Sequence, residues 1–157
     1  MDHYRIIDAD YAIVGLKSDI AGVAPGAADV LRCDGLRVGV IMLEAGASVH
    51  PEIADLLAQV LALGVIESAR TKGQITPALM EVLQKAAGAP DWFFPGRVPR
   101  VYSAALSPGS MLLRREHLID LAKAMQVYAP DRLILTADGL VKPAKAVLRP
   151  VRCAAVA

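Results

Sequence analysis

The chain has 157 residues, enough for one domain spanning 1–157, and it is 55% hydrophobic but only 4% aromatic, so its core must come from Ala, Val, Leu and Ile. Net charge is +1, with six Lys/Arg against ten Asp/Glu in residues 1–80 and eleven against six afterwards. The basic residues are scattered, Arg114-Arg115 being the longest run, and aromatics to stack on bases are few, so nucleic acid is not an expected partner.

Mean hydropathy of +0.43 is high for a small soluble monomer and predicts a homo-oligomer that buries apolar surface between copies. The N-terminus, MDHYRIIDAD, carries acids where a secretory leader needs a basic and then an apolar region. The longest charge-free stretch, Val101 to Leu113, contains Pro108 and Gly109 and falls short of the roughly 18–20 residues of a bilayer span. A protein of the cytoplasm, off the membrane, is expected. Cys33 and Cys153 lack CxxC spacing and read as free, buried thiols.

In chain order, Ile13-Val14 predicts a strand preceded by Asp8-Ala9-Asp10. Alternation would put both acids on one face, as a carboxylate pair for a cation or for acid–base work, or else in a solvated turn. IAGVAPGAA (20–28) reads as a loop around Pro25-Gly26. In VLRCDGLRVGVIML (30–43), Asp34-Gly35 between apolar runs is a hairpin signal, and Val40 to Leu43 predicts a strand buried on both faces.

PEIADLLAQVLAL (51–63) shows apolar residues at Ile53, Leu56, Leu57, Val60, Leu61 and Leu63, which predicts an amphipathic helix opened by Pro51 and stopped by Gly64. A second helix is expected over 77–87, with Thr76 as its cap and Gly88 as its stop. Trp92, Phe93 and Phe94 cluster among prolines, as a plug for the core, an oligomer contact or a ligand lid.

Val101 to Leu106 predicts a strand, Ser107-Pro108-Gly109-Ser110 a turn, and 116–127 a third helix with Leu118, Ile119, Leu121, Ala122 and Met125 on one face. Asp138-Gly139 marks a second hairpin, with Pro143 confining part of its second arm to an edge. The likeness of VLRCDGLRV to LILTADGLV is what either an internal duplication or two unrelated turns would produce. The expected fold is a single α/β or α+β domain, with a mixed sheet of about five to six strands, two Asp-Gly hairpins and a cover of three helices.

No GxGxxG, GxxxxGK[ST], GxSxG or HExxH motif occurs, so phosphate cradling and a serine-hydrolase elbow lack support and the cofactor is left open; His3, His50 and His117 lack i, i+3 or i, i+4 partners, so no local metal site is expected. The strongest candidate is EAGASVH (44–50), between a buried strand and a helix. There Glu44 and His50 would act as acid–base groups, and Ser48 would bind an anion beside free helix N–H groups. The same residues also suit a strand end (Glu44), a helix cap (Ser48) and a solvated pre-proline position (His50). Ser103, Ser107 and Ser110 with Arg114 could hold an anion, and Lys142 or Lys145 could serve as a nucleophile, although turn chemistry and edge solubility explain them equally. The functional expectation is a small enzyme acting on an anionic metabolite by general acid–base chemistry. The alternative is a non-catalytic homo-oligomeric module that binds a ligand or a protein.

Overall fold

A computed structural model describes residues 1–46, 48–87, 99–106, 113–129, 132–136 and 139–141. Trp92, Phe93, Phe94, Ser107, Ser110, Lys142, Lys145, Cys153 and the turns expected at Gly88, Pro108-Gly109 and Asp138 lie outside these residues.

Seven strands form one mixed sheet of the α/β class: β1 (Asp2–Tyr4), β2 (Tyr11–Leu16), β3 (Val38–Leu43), β4 (Ala62–Glu67), β5 (Arg100–Leu106), β6 (Arg132–Thr136) and β7 (Gly139–Val141). Their spatial order is β1-β3-β2-β4-β5-β6-β7. The inner five run parallel, while β1 on β3 and β7 on β6 run antiparallel. Among the described residues, five helices connect them: α1 (Lys17–Ile20), α2 (Ala24–Cys33), α3 (Ile53–Leu56), α4 (Ile75–Ala87) and α5 (Arg115–Val127).

Alternation along each strand sorts the core into two layers. Tyr11, Ile13, Val40, Ile66, Tyr102 and Leu133 face α2 and α5. Val14, Ile41, Leu63 and Val65 face α3 and α4. Covered on both sides, the central strands carry almost continuous apolar runs, and each fully buried Leu or Ile contributes roughly 1.5–3 kcal/mol.

Three of the four crossovers share one hand. The β2–α2–β3 unit steps toward β1 with its helix on the first face, while β3–α3–β4 and β4–α4–β5 step the other way with helices on the second. The β5–α5–β6 unit steps away from β1 but carries α5 on the first face, so its hand is opposite to that of the other three. This placement lays α5 over β4. A Cβ at Gly64 would come within 2.8 Å of Leu121 Cδ2 and 3.3 Å of Met125 Sδ, so the absent side chain makes room for the helix.

Several sequence expectations are corrected here. Asp34-Gly35 does not turn a hairpin; it ends α2. Gly35 has φ +90, its N–H donates to the Arg32 carbonyl (3.0 Å), and the Leu36 N–H donates to the Leu31 carbonyl (2.9 Å). That pair of bonds is a Schellman stop, which needs the same positive-φ glycine a type I′ turn needs, so the dipeptide signals both. Residues 24–33 are therefore helical rather than loop and strand, with Pro25 in the first turn, where a missing N–H is harmless. The first Asp-Gly step ends a helix, and Gly139 of the second pairs with Thr136 as the first residue of β7.

The helix expected over 51–63 holds only at Ile53–Leu56, and 62–67 is the central strand β4. Its unbroken apolar run satisfies a helical template as readily as a doubly buried strand. Cys33 is exposed rather than buried. Asp8 and Asp10 do not form a carboxylate pair: Asp8 is held by Arg32 (2.9 and 3.1 Å) and Asp10 by Arg37 (3.0 and 3.1 Å). Among the described residues, no helix is long and apolar enough to cross a membrane.

Candidate functional site

In a doubly wound sheet, adjacent parallel strands whose connections leave on opposite faces open a crevice at their carboxyl ends. Here those strands are β2, which leads to α2 on one face, and β4, which leads to α4 on the other. Leu16 and Glu67 are their last residues, so Lys17 to Val23 and Ser68 to Gln74 form the two lips.

The β4 lip is organised by Glu67, a carboxylate only 4% exposed. Its Oε1 accepts from the Thr76 N–H (2.7 Å) and the Thr76 hydroxyl (2.8 Å), and its Oε2 accepts from the Thr71 hydroxyl. Thr71 Oγ1 in turn accepts from the Ser68 N–H at 3.0 Å. The negative charge lies against the first turn of α4, where unpaired N–H groups and the helix dipole favour it. Thr76 is thus inside α4, and the cap expected of it is supplied by Glu67. Ser103 on β5 completes the cluster, its Oγ 3.4 Å from Thr76 Oγ1.

The β2 lip is charged. Lys17 Nζ donates to Asp2 Oδ2 at 2.7 Å, and this bond, followed by the fields of Asp2 and Glu44, holds the Lys17 ammonium above the ordinary lysine value. The same contact holds the Asp2 carboxyl below the usual carboxylate range. Two residues on, Asp19 Oδ2 is buried and accepts no hydrogen bond. The N-terminus of α2 follows directly, with Val23 at its cap position and no side chain capping it.

On the same edge, His117 in the first turn of α5 is 2% exposed. Its Nδ1 accepts from the Arg114 N–H (2.9 Å), which leaves Nε2 protonated to donate to the Thr136 carbonyl (2.8 Å) at the end of β6. Glu67, Thr71 and His117 are the buried polar or charged residues among those described, and all three lie at the carboxyl edge.

The sequence candidates lie on the connection between β3 and α3. Glu44 directly follows β3, is exposed, and lies in the electrostatic range of Lys17. Ser48 and His50 are exposed too, and no hydrogen bond joins them to Glu44 among the described residues. His50 Nδ1 accepts from the Glu52 N–H (3.2 Å) and stands 3.8 Å from its carboxylate. Ser48 does not cap α3, which starts after Glu52; it borders an open groove of about 550 Å³ floored by Val49, Pro51, Ala78, Val82 and Ala86. No cluster of three or more metal-ligating side chains occurs among the described residues.

Sequence reasoning missed Lys17, Asp19, Glu67 and Thr71, and read Thr76 only as a helix cap. The signal for Glu67 was the strand-ending pattern GVIE at 64–67, which matches VIMLE at 40–44 but was hidden by reading 51–63 as one helix. No protein-family model matches the chain, and no curated protein matches it in sequence.

Proposed function

We propose that the chain is a small-ligand-binding domain whose site is the carboxyl-edge crevice between β2 and β4. The observation that carries this reading is the Asp19 carboxylate, on the segment that follows β2, whose Oδ2 is buried without a donor. A buried acceptor left unsatisfied costs roughly 1–3 kcal/mol, which a ligand N–H or O–H at that point would recover. Lys17 and the uncapped N-terminus of α2 favour negative charge nearby. The fitting ligand is a small polar metabolite that carries both a hydrogen-bond donor and an anionic group.

Binding is favoured over catalysis because the buried carboxylate of the crevice, Glu67, already accepts three protein hydrogen bonds. An acid–base role would fall to Glu44, at the rim beside Lys17, with Ser48 and His50 outside hydrogen-bond reach of it. Self-association belongs to the same reading, supported by the exposed Ile7 (71%) and Leu61 (54%), and light scattering that returns a strict monomer overturns it. The exposed free thiol of Cys33 suits a reducing, cytoplasmic setting.

The test is a thermal-shift screen of metabolites on the wild type, Lys17→Ala and Asp19→Asn, since a ligand of the native state raises stability. A hit is expected to bind each variant at least tenfold more weakly. A hit whose affinity neither substitution changes overturns the assignment.

A further inference from the structure

The opposite, amino edge of the sheet is built from arginine–carboxylate pairs, and one arginine there is left over. Arg32 holds Asp8 through two bonds (3.1 and 2.9 Å), and Arg37 holds Asp10 through two (3.0 and 3.1 Å). Arg100, the first residue of β5, donates its backbone N–H to the Leu61 carbonyl at 3.0 Å on this edge. Its guanidinium Nε and Nη2 are buried and have no hydrogen-bond partner. Alternation puts Arg100 on the α5 face with Tyr102. The carbonyls near the end of α5 that reach β5, those of Met125 and Tyr128, already accept from the Tyr102 hydroxyl. Among the described residues, neither a carboxylate nor a helix-end carbonyl at this edge satisfies the fork.

Nε and Nη2 lie along one edge of the planar guanidinium and donate in parallel, the geometry that takes two oxygens of a carboxylate or phosphate side-on. Arg100 is partly exposed as a residue, although Nε and Nη2 themselves are buried. We propose that Arg100 is a second binding point, separate from the carboxyl-edge crevice, and that it takes an oxyanion presenting two coplanar oxygens. The chemistry is that of a carboxylate or a phosphate on a small metabolite.

The experiment compares the thermal midpoint of the full chain in sodium chloride, acetate and phosphate at equal ionic strength, and follows the Arg100 Nε–H resonance during the same titrations. The wild-type midpoint is expected to rise saturably by several degrees in acetate or phosphate, with the Nε–H resonance moving in parallel. The anion giving the larger rise identifies the oxyanion class. Arg100→Gln is expected to abolish the response. Arg100→Lys keeps the charge without the fork and is expected to weaken binding at least tenfold. Identical midpoints in all three salts, or a response that survives in Arg100→Gln, overturn the proposal. Should Arg100→Gln fail to fold, the wild-type Nε–H titration decides: a stationary resonance overturns the site.

Discussion

Glu67 Oε1 accepts from both the backbone N–H and the hydroxyl of Thr76, at 2.7 and 2.8 Å, so the last residue of one strand caps the helix that follows it. The β4–α4 connection is therefore closed by a side chain that reaches over nine positions of sequence. This contact fixes one lip of the crevice.

Removing the carboxylate leaves two Thr76 donors and the Thr71 hydroxyl without their acceptor in a buried place. Glu67→Ala is expected to lower unfolding free energy by about 1–3 kcal/mol, as the loss of a helix cap together with buried hydrogen bonds does. Glu67→Gln keeps one oxygen for Thr76 and is expected to lose less. Urea denaturation monitored by circular dichroism checks the order of the two.

Two glycines rank in a definite order. A Cβ at Gly39 would fall 2.8 Å from Ile6 Cα and 2.9 Å from the Arg5 carbonyl oxygen, both main-chain atoms, and the chain there is turned by Arg5 at φ +51. At Gly64 the obstacle is the Leu121 side chain, which can rotate. Gly39→Ala is expected to cost more than Gly64→Ala, with both near the 1–3 kcal/mol typical of overpacking. Equal denaturation midpoints for the two variants would contradict this ranking.

How much of this was legible in the sequence depended on whether a signal had one meaning. The buried strand at Val40–Leu43 and the helix at 116–127 were readable because apolar spacing left no rival reading. Residues 60–66 matched a helix and a doubly covered strand alike, and the pairing of β4 between β2 and β5 decides between them. Asp34-Gly35 was ambiguous for the same reason: a positive-φ glycine serves a hairpin or a Schellman stop. With 60–66 matching a helical pattern, Glu67 could not be seen as a strand end, whereas Glu44 after Val40–Leu43 could. Asp19 and Lys17 gave no local signal, because their meaning comes from the sheet order, which is non-local.

The ion pairs make stability depend on pH in a set direction. Arg32, chiefly through its hydrogen bonds, holds the Asp8 carboxyl below the ordinary carboxylate value, and Lys17 does the same for Asp2. A depressed carboxyl contributes stability above its unfolded value, near about 3.9, and that stability is lost as pH falls through the lower folded value. Lys17, held above its ordinary value, contributes stability that is lost only as pH rises through the folded lysine value. Asp8→Asn is expected to flatten the fall in urea midpoint below about pH 4 while leaving the alkaline limb unchanged. An acid limb as steep as that of the wild type would rule out the Asp8–Arg32 contribution.

His117 ties the first turn of α5 to the end of β6 through one ring. Its bonds require the proton on Nε2, so nitrogen-15 correlation spectra at neutral pH are expected to report the Nε2–H tautomer. His117→Ala removes both bonds and is expected to cost about 1–3 kcal/mol and to speed amide exchange in residues 114–118. An Nδ1–H tautomer would contradict the geometry.

The central claim is that ligand binds between β2 and β4. Backbone chemical-shift mapping of the most stabilising metabolite from the thermal-shift screen tests it most directly. Perturbations are expected to concentrate at residues 16–23 and 67–76, with Asp19 among the largest. Perturbations confined to residues 48–52 and the facing side of α4, or to the amino edge around Arg100, would contradict it.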